Sequence, residues 1–447
     1  MQAVERKFDA IQQVAKAASS TCGLGSVSLT PHLSRAFYPS MSALELRAAL
    51  SLASIYALRM LGLFVILPVF AIHARTLPGF DLAMVGWVLG IYGLTQGILQ
   101  VPFGMASDRY GRKPVIVFGL ALFAIGSVVA ALPGDIWTAL LGRSLQGAGA
   151  VSAAVTALLA DLTREEHRSK AMALIGVSIS LMFAFSLVAA PLLYVSIGMS
   201  GIFLATGALA LLAIGVVVWV VPAAPSAPAG QATGARPSFA SVVLAPELLR
   251  LNLGIFSLHM VLMAMFVVVP TALVEYGGMA PGSHWKVYLP ALLLSFAVMI
   301  PPLIWAEKHG RDKTVLLGAV ALMLASQIAF VAGIWHVASI AALLFVFFVA
   351  FNILEAQLPA LVSRFAPAAA RGAALGVYNT TQALGLAAGG VIGGYLVKYT
   401  AIESVFVFGA AMVFLWFIAA FSMREPLKRS AASANSREGD FNHGLSQ

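Results

Sequence analysis

The chain has 447 residues, of which 60% are hydrophobic and only 10% charged, with a formal net charge of +9. A soluble domain carries about 25% charged residues, so a large soluble enzyme and a disordered chain are both excluded. The surplus of Lys and Arg does not point to nucleic acid either. The charges lie in short clusters between long apolar runs, which is the pattern of a membrane protein.

Residues 1–45 read as an N-terminal extension. Arg6, Lys7 and Lys16 are not followed by an apolar stretch, so no cleavable signal is expected. Two readings stay open. Either Met41 is the start of the protein, or Val4, Phe8 and Ile11, spaced four and three apart, form one apolar face of an interfacial helix. Cys22 is the single cysteine, which excludes an intramolecular disulfide and makes a Cys-based metal site unexpected.

Twelve apolar runs follow, near 48–72, 83–106, 113–132, 137–160, 170–195, 201–221, 250–274, 286–306, 313–333, 337–361, 372–397 and 401–422. A helix needs about 20 residues to cross a hydrocarbon core of about 30 Å. Barrel strands would be shorter and would alternate. Residues 222–249, rich in Pro, Ala, Gly and Ser, form a flexible linker. It divides the chain into six spans over 46–221 and six over 250–422, with a polar tail over 423–447.

Lys and Arg give the orientation. With both termini assigned to the cytoplasm, that side holds the extension, Arg109, Arg112, Lys113, Arg164, Arg168, Lys170 and the matching loops of the second half. The outer side keeps only Arg75, Lys286 and Lys398, while Arg59 and Arg143 fall inside spans.

The two halves repeat. Phe64-Val65-Ile66-Leu67-Pro68 returns as Phe266-Val267-Val268-Val269-Pro270. Asp108-Arg109-Tyr110-Gly111-Arg112 returns as Glu307-Lys308-His309-Gly310-Arg311, and Ala173-Leu174-Ile175-Gly176-Val177 as Ala373-Ala374-Leu375-Gly376-Val377. Three matches at nearly one offset argue for duplication. Internal repeats with a substrate site between them are common in transporters.

Between spans 2 and 3, Gly104-Met105-Ala106-Ser107-Asp108-Arg109-Tyr110-Gly111-Arg112-Lys113-Pro114 resembles the loop signature of the major facilitator superfamily. Arg143-Ser144-Leu145-Gln146-Gly147-Ala148-Gly149 resembles the second motif of that family. Leu61-Gly62 ahead of Pro68 is similar to the span 1 motif of its twelve-helix drug:proton antiporter branch. Within the branch, Leu58-Arg59-Met60-Leu61-Gly62, Gly90-Ile91-Tyr92-Gly93-Leu94-Thr95-Gln96, His284-Trp285-Lys286-Val287-Tyr288 and Phe351-Asn352-Ile353-Leu354-Glu355 resemble the YajR-type transporters of bacterial inner membranes. The likeness runs over roughly residues 42 to 426. There are two departures. Ala190-Pro191 stands in span 5 where the branch has Gly-Pro, and the polar residues after Phe421 are too few for the ferredoxin-like domain of that group. The resemblance implies an all-α polytopic membrane protein, with twelve transmembrane helices in two pseudo-symmetric six-helix bundles. It also implies a multi-pass location in the bacterial inner membrane.

Ionisable groups inside a span are costly, so each is a candidate. Glu355 is the carboxylate placed deep in a span. It reads as a proton carrier or as a static ion pair with Arg59. His259 is a second coupling candidate, or simply a hydrogen-bonded core histidine. Arg143 and Gln146, three apart, share a helix face, and the resemblance implies that this face looks into the cavity. Arg59, Tyr92, Gln96, Asn352, Gln357, Asn379 and Gln382 either line that cavity or bond between helices. The resemblance gives Gly104, Asp108, Arg109, Gly111, Arg112 and Asp161 the role of a conformational latch at the cytoplasmic face. Gly385, Gly389, Gly390, Gly393 and Gly394 in span 11 read as close helix packing.

The expectation is a monomeric secondary transporter, driven by the proton gradient without a cofactor or metal. It exports small amphipathic molecules across the bilayer by alternating access. No phosphate-loop motif or nucleophile constellation is present in the sequence, so an enzyme is not expected. A uniporter or symporter for a sugar or metabolite, and a transport-dead receptor, are the alternatives.

Overall fold

The computed structural model describes residues 41–132, 134–149, 151–222, 244–332, 336–367 and 370–425. Val4, Phe8, Ile11 and Cys22, most of the linker and the end of the tail lie outside the described residues. From Leu44 onwards the helices belong to one compact unit.

In the first half they are α1 (Ala43–Phe64), α2 (Leu67–His73), α3 (Leu82–Tyr110), α4 (Arg112–Ala131), α5 (Ile136–Ala148), α6 (Ser152–Leu162) and α7 (Glu165–Gly215). The second half has α8 (Pro246–Glu275), α9 (Trp285–His309), α10 (Asp312–Val331), α11 (Val337–Phe365), α12 (Arg371–Tyr399) and α13 (Ile402–Phe421). All is helical among the described residues, as lipid demands of any open chain that must satisfy its own backbone. Large apolar side chains such as Phe118, Trp137, Leu211 and Phe414 stay more than half exposed. That is the mark of a lipid-facing exterior.

Several spans are less regular than the apolar runs suggest. The first breaks between α1 and α2, ahead of Pro68, and the fourth breaks between α5 and α6 after Gly149. The fifth and sixth runs form one helical stretch of 51 residues. Straight, it would be about 77 Å long, more than twice a bilayer core. It turns at Gly198, whose φ of 66° and ψ of −178° lie outside the helical region and suit only a residue without Cβ. Among the described residues, ten segments are long and apolar enough to cross a membrane. α12 is not among them, because Asn379, Thr380, Thr381, Gln382 and its glycines lower its hydropathy.

The duplicated loop is visible as geometry. Gly111 ends α3 with φ of 95° and Gly310 ends α9 with φ of 65°, so the repeated glycine stops a helix at a positive φ in both halves, left-handed helical at Gly310 and more extended at Gly111. Gly111 and Gly310 mark one membrane face, here called the motif face.

α12 is the central packing helix. One stripe, Gly385, Gly389 and Gly393, lies against the backbone of α8 at Phe256, Met260 and Ala264. The next stripe, Ala383, Ala387, Gly390 and Gly394, lies against Gly93, Gly90 and Gly86 of α3. Small residues four apart let backbones touch. This contact joins the two halves from the face opposite the motif face down to Gly97, which meets Leu384 and Thr380. Beyond it the helices part. A side chain added at Gly372 or Gly376 would meet open space, and one added at Gly104 would meet Ala153 of its own half.

Candidate functional site

Two polar clusters lie inside the helices. In the first half, α1 supplies Arg59, α3 supplies Tyr92 and Gln96, and α5 supplies Arg143 and Gln146. Arg59 donates to the Ser152 hydroxyl at 2.7 Å and to Gln96 Oε1 at 2.9 Å. Arg143 donates to Gln146 Oε1 at 2.8 Å, and Gln146 Nε2 donates to the Ser127 hydroxyl at 2.8 Å. The Tyr92 ring carries both cations, with Arg143 at 4.7 Å and Arg59 at 5.8 Å from its centroid. The break between α5 and α6 brings Ser152 to Arg59.

The second cluster joins α8, α11 and α12. His259 Nε2 stands 3.8 Å from Glu355 Oε2 and 2.7 Å from Gln382 Nε2. Gln382 Nε2 also reaches Glu355 Oε1 at 3.5 Å. His259 Nδ1 is 3.3 Å from the Ile255 carbonyl. With its proton there, Nε2 is left to accept from the Gln382 amide. Glu355 Oε2 is buried without a hydrogen-bond partner among the described residues. The three residues sit 10 to 13 positions from the motif-face ends of their helices, a depth of about 15–20 Å. The expected alternative of an Arg59–Glu355 ion pair is not what forms: Arg59 is held by Ser152 and Gln96 of its own half. Tyr378, one turn before Gln382, is buried with its hydroxyl unpartnered.

An aromatic plug covers the Glu355 cluster on the side away from the motif face. Phe351, one turn before Glu355, lies 5.8 Å from the His259 ring. Phe183 of the first half packs at 5.7 Å on Phe351, 6.1 Å on Phe348 and 5.0 Å on Phe64. Further towards the opposite face, two ion pairs join the halves: Arg75 with Glu275 at 2.6 Å and Asp81 with Lys398 at 2.5 Å. The Lys398 ammonium holds the Asp81 carboxyl below the usual carboxylate range, with help from the Ala83 amide.

At the motif face the charges pair within each half. Arg112 bonds Asp108, Asp161 Oδ2 at 3.0 Å and the Ser107 hydroxyl at 2.8 Å. Arg109 lies over Tyr110 at 5.5 Å. The side chain of Asp108 is 67% exposed. In the second half, Arg364 bonds Asp312 Oδ2 at 2.5 Å, the same link between equivalent helices with the charges exchanged. Molecular contact thus closes the opposite face, while α3 and α12 separate towards the motif face.

Not every candidate joins a cluster. Asn352 donates to Ser295 of α9 at 2.9 Å, and Gln357 donates to the Asp312 carbonyl at 3.3 Å, so both bond between helices. Asn379 is half-buried and its side chain makes no hydrogen bond among the described residues. The sequence reasoning missed Ser127, Ser152, Tyr378 and the plug. Hydroxyls and phenylalanines in apolar helices carry no pattern of their own. Nor did it pair Arg75 with Glu275, which are separated by 200 positions, close to the repeat offset of the two halves.

The description "Major Facilitator Superfamily" matches residues 52–304 and 283–446. The chain is 43% identical over 387 residues to the inner membrane transport protein YajR of Escherichia coli (strain K12), covering 86% of this chain and 84% of that one. It is 29% identical over 352 residues to the multidrug resistance protein MdtH of Proteus mirabilis (strain HI4320), covering 74% and 82%. A crystal structure of a bacterial homolog of the human lysosomal transporter Spinster, inward-facing and occupied, is similar at a TM-score of 0.66. Its identity is 13%, with 86% and 97% covered; a likeness at that identity concerns the fold.

Proposed function

The chain belongs to the major facilitator superfamily, and we propose that it exports small amphipathic molecules in exchange for protons by alternating access. It is a secondary transporter of small molecules, a multi-pass protein of the bacterial inner membrane and not an enzyme. Twelve crossings in two bundles of six are supported by counting the stretch that turns at Gly198 as two and adding α12 to the apolar segments. The basic motif face is then cytoplasmic, as are both termini, and this conformation opens inwards. The working unit is a monomer. A multidrug resistance protein among the relatives supports the efflux reading.

The observation that carries the coupling is Glu355. Oε2 of its carboxyl group is buried without a hydrogen-bond partner among the described residues, beside the His259–Gln382 pair and under the aromatic plug, while the side chain as a whole is 22% exposed. A proton satisfies that oxygen, and its loss towards the open face leaves a charge that the site must expel or rearrange around. One proton is worth about 1.4 kcal/mol per pH unit and about 2.3 kcal/mol per 100 mV. At one unit and 100 mV that sustains roughly a 500-fold gradient of a neutral substrate.

The test is a pH dye inside proteoliposomes under an imposed gradient, with cationic, neutral, anionic and sugar compounds added in turn. A compound that collapses the gradient in wild type but not in Glu355→Gln is the expected result. Substrate flux without proton movement in wild type replaces antiport by uniport. No flux of any compound, in vesicles shown to hold folded protein, favours a receptor.

A further inference from the structure

We propose that the Arg59–Tyr92–Arg143 cluster binds the anionic head of an amphipathic substrate, a planar carboxylate or a similar oxyanion. This rests on the reading of the chain as a transporter with a central cavity, and names the substrate class for it.

Arg143 is 0% exposed and Arg59 3% exposed. Neither has a carboxylate partner among the described residues. The first-half carboxylates with described side chains are engaged elsewhere, at the membrane faces. Glu45 pairs with Arg164, Asp81 with Lys398, and Asp108 and Asp161 with Arg112. Asp135 caps α5 through the Thr138 amide. Two buried cations therefore face one aromatic ring without a counter-charge, an arrangement a protein keeps at a cost.

The free groups have a shape. Arg143 spends Nη1 on Gln146, while Nε and Nη2 are buried without a hydrogen-bond acceptor among the described residues. Nε and Nη2 form one edge of the guanidinium, the fork that matches the two oxygens of a carboxylate. Arg143 stacks by its face on Tyr92, so this edge remains available. Arg59 Nε and the Tyr92 hydroxyl are likewise buried and unpartnered, which adds two more donors. α6, which begins at Ser152 beside Arg59, has no side-chain cap at its N-terminus and adds the positive end of its dipole. Towards the motif face, Gln100 stands one turn from Gln96 on α3, buried with both amide atoms unpartnered. It places two more unpartnered polar atoms on the motif-face side of the cluster.

The experiment measures binding to the full-length purified protein by calorimetry. The probes are 2-naphthoate, 2-naphthalenesulfonate and 2-naphthyl phosphate, against neutral 2-naphthamide and a cationic naphthyl trimethylammonium. At least one anion is expected to bind about tenfold or more tighter than the amide. Arg143→Lys keeps the charge but loses the fork, and is expected to remove that preference. Tyr92→Phe keeps the ring and is expected to weaken anion binding a few-fold. Thermal melts of both variants show whether they are folded. If Arg143→Lys does not fold, the Tyr92→Phe comparison decides. Equal affinity for anions and amide, no anion binding at all, or a preference unchanged in folded variants would overturn the site and leave these donors to internal water. The two readings separate cleanly. Anion binding lost in Arg143→Lys without proton-coupled flux sinks antiport but keeps the site. Proton-coupled flux of cations untouched by Arg143→Lys does the reverse.

Discussion

Arg75 and Glu275 stand 200 positions apart, at the ends of the first span and its repeat, and their side chains meet at 2.6 Å. A duplicated structure brings equivalent positions together where its two halves touch. Here evolution has given those positions opposite charges. The side chains are 42% and 38% exposed, so the pair is worth at most about 1 kcal/mol. That is enough to bias a two-state equilibrium without freezing it. Arg75→Ala is expected to raise the population open at this face by up to about fivefold. Spin labels at Leu77 and Thr400, in a background with Cys22 replaced by Ser, would report the distance. Exchanging the two charges should restore the wild-type distribution; a doubly swapped protein that behaves like Arg75→Ala would show that the charges are incidental.

Asp81 makes the second link of this face, through Lys398. Its carboxyl is held below the ordinary value of 3.8 by Lys398. The contribution of the pair is therefore complete above the ordinary value and is lost only as pH falls through the lowered one. Between pH 8 and pH 5 the pair should hold. A conformational response in that range is expected to come from the Glu355 cluster, to persist in Asp81→Asn and to vanish in Glu355→Gln. The same label distances, followed by pH, check this. A response abolished by Asp81→Asn would move the proton sensor to the outer face.

The loop signature predicts a different kind of defect. Asp108 is two-thirds exposed and bonds Arg112 of its own half, so it contributes little to this conformation. The latch role that the resemblance implies for it would belong to the state closed at the motif face. Asp108→Asn should therefore lower turnover about tenfold while leaving substrate affinity within about twofold. Flux and equilibrium binding on the same preparation measure both. Unchanged turnover at normal expression would reduce the motif to a basic loop.

Much of this arrangement was legible in the residues. The apolar runs located the helices, because lipid leaves a chain few other options. The turn glycines Gly111 and Gly310 were found through the repeat. Arg143 with Gln146 followed from helical spacing alone. What stayed hidden depends on which helices meet. Glu355, His259 and Gln382 come from three helices, and no spacing in the chain brings them together. Arg59 had two partners available by type, Glu355 and the amides and hydroxyls of its own half. Only packing chose the latter. For Asn352 and Gln357 the residue types left cavity lining and ties between helices both open, and packing gives each a partner on a neighbouring helix.

The seam of α3 and α12 gives the last prediction. Gly390 lies against the backbone of Gly86 and Gly90, so closely that any added Cβ would overlap it. Backbone cannot rotate away as a flexible side chain can. A bulkier residue must therefore separate the two helices where they seal the opposite face. The rest of α12 is anchored separately to α8 through Gly385, Gly389 and Gly393, so the second half keeps its own packing. Gly390→Val should shift the protein towards the conformation open at the opposite face and slow transport by holding it there. A cysteine at Leu77 should then react faster with a membrane-impermeant maleimide from outside. Gly376→Val is the control, since a side chain there meets open space in this conformation. It should leave labelling from outside unchanged or lowered. Faster labelling in both variants would mean that bulk anywhere on α12 loosens the protein, and the seam would lose its role as the outer gate.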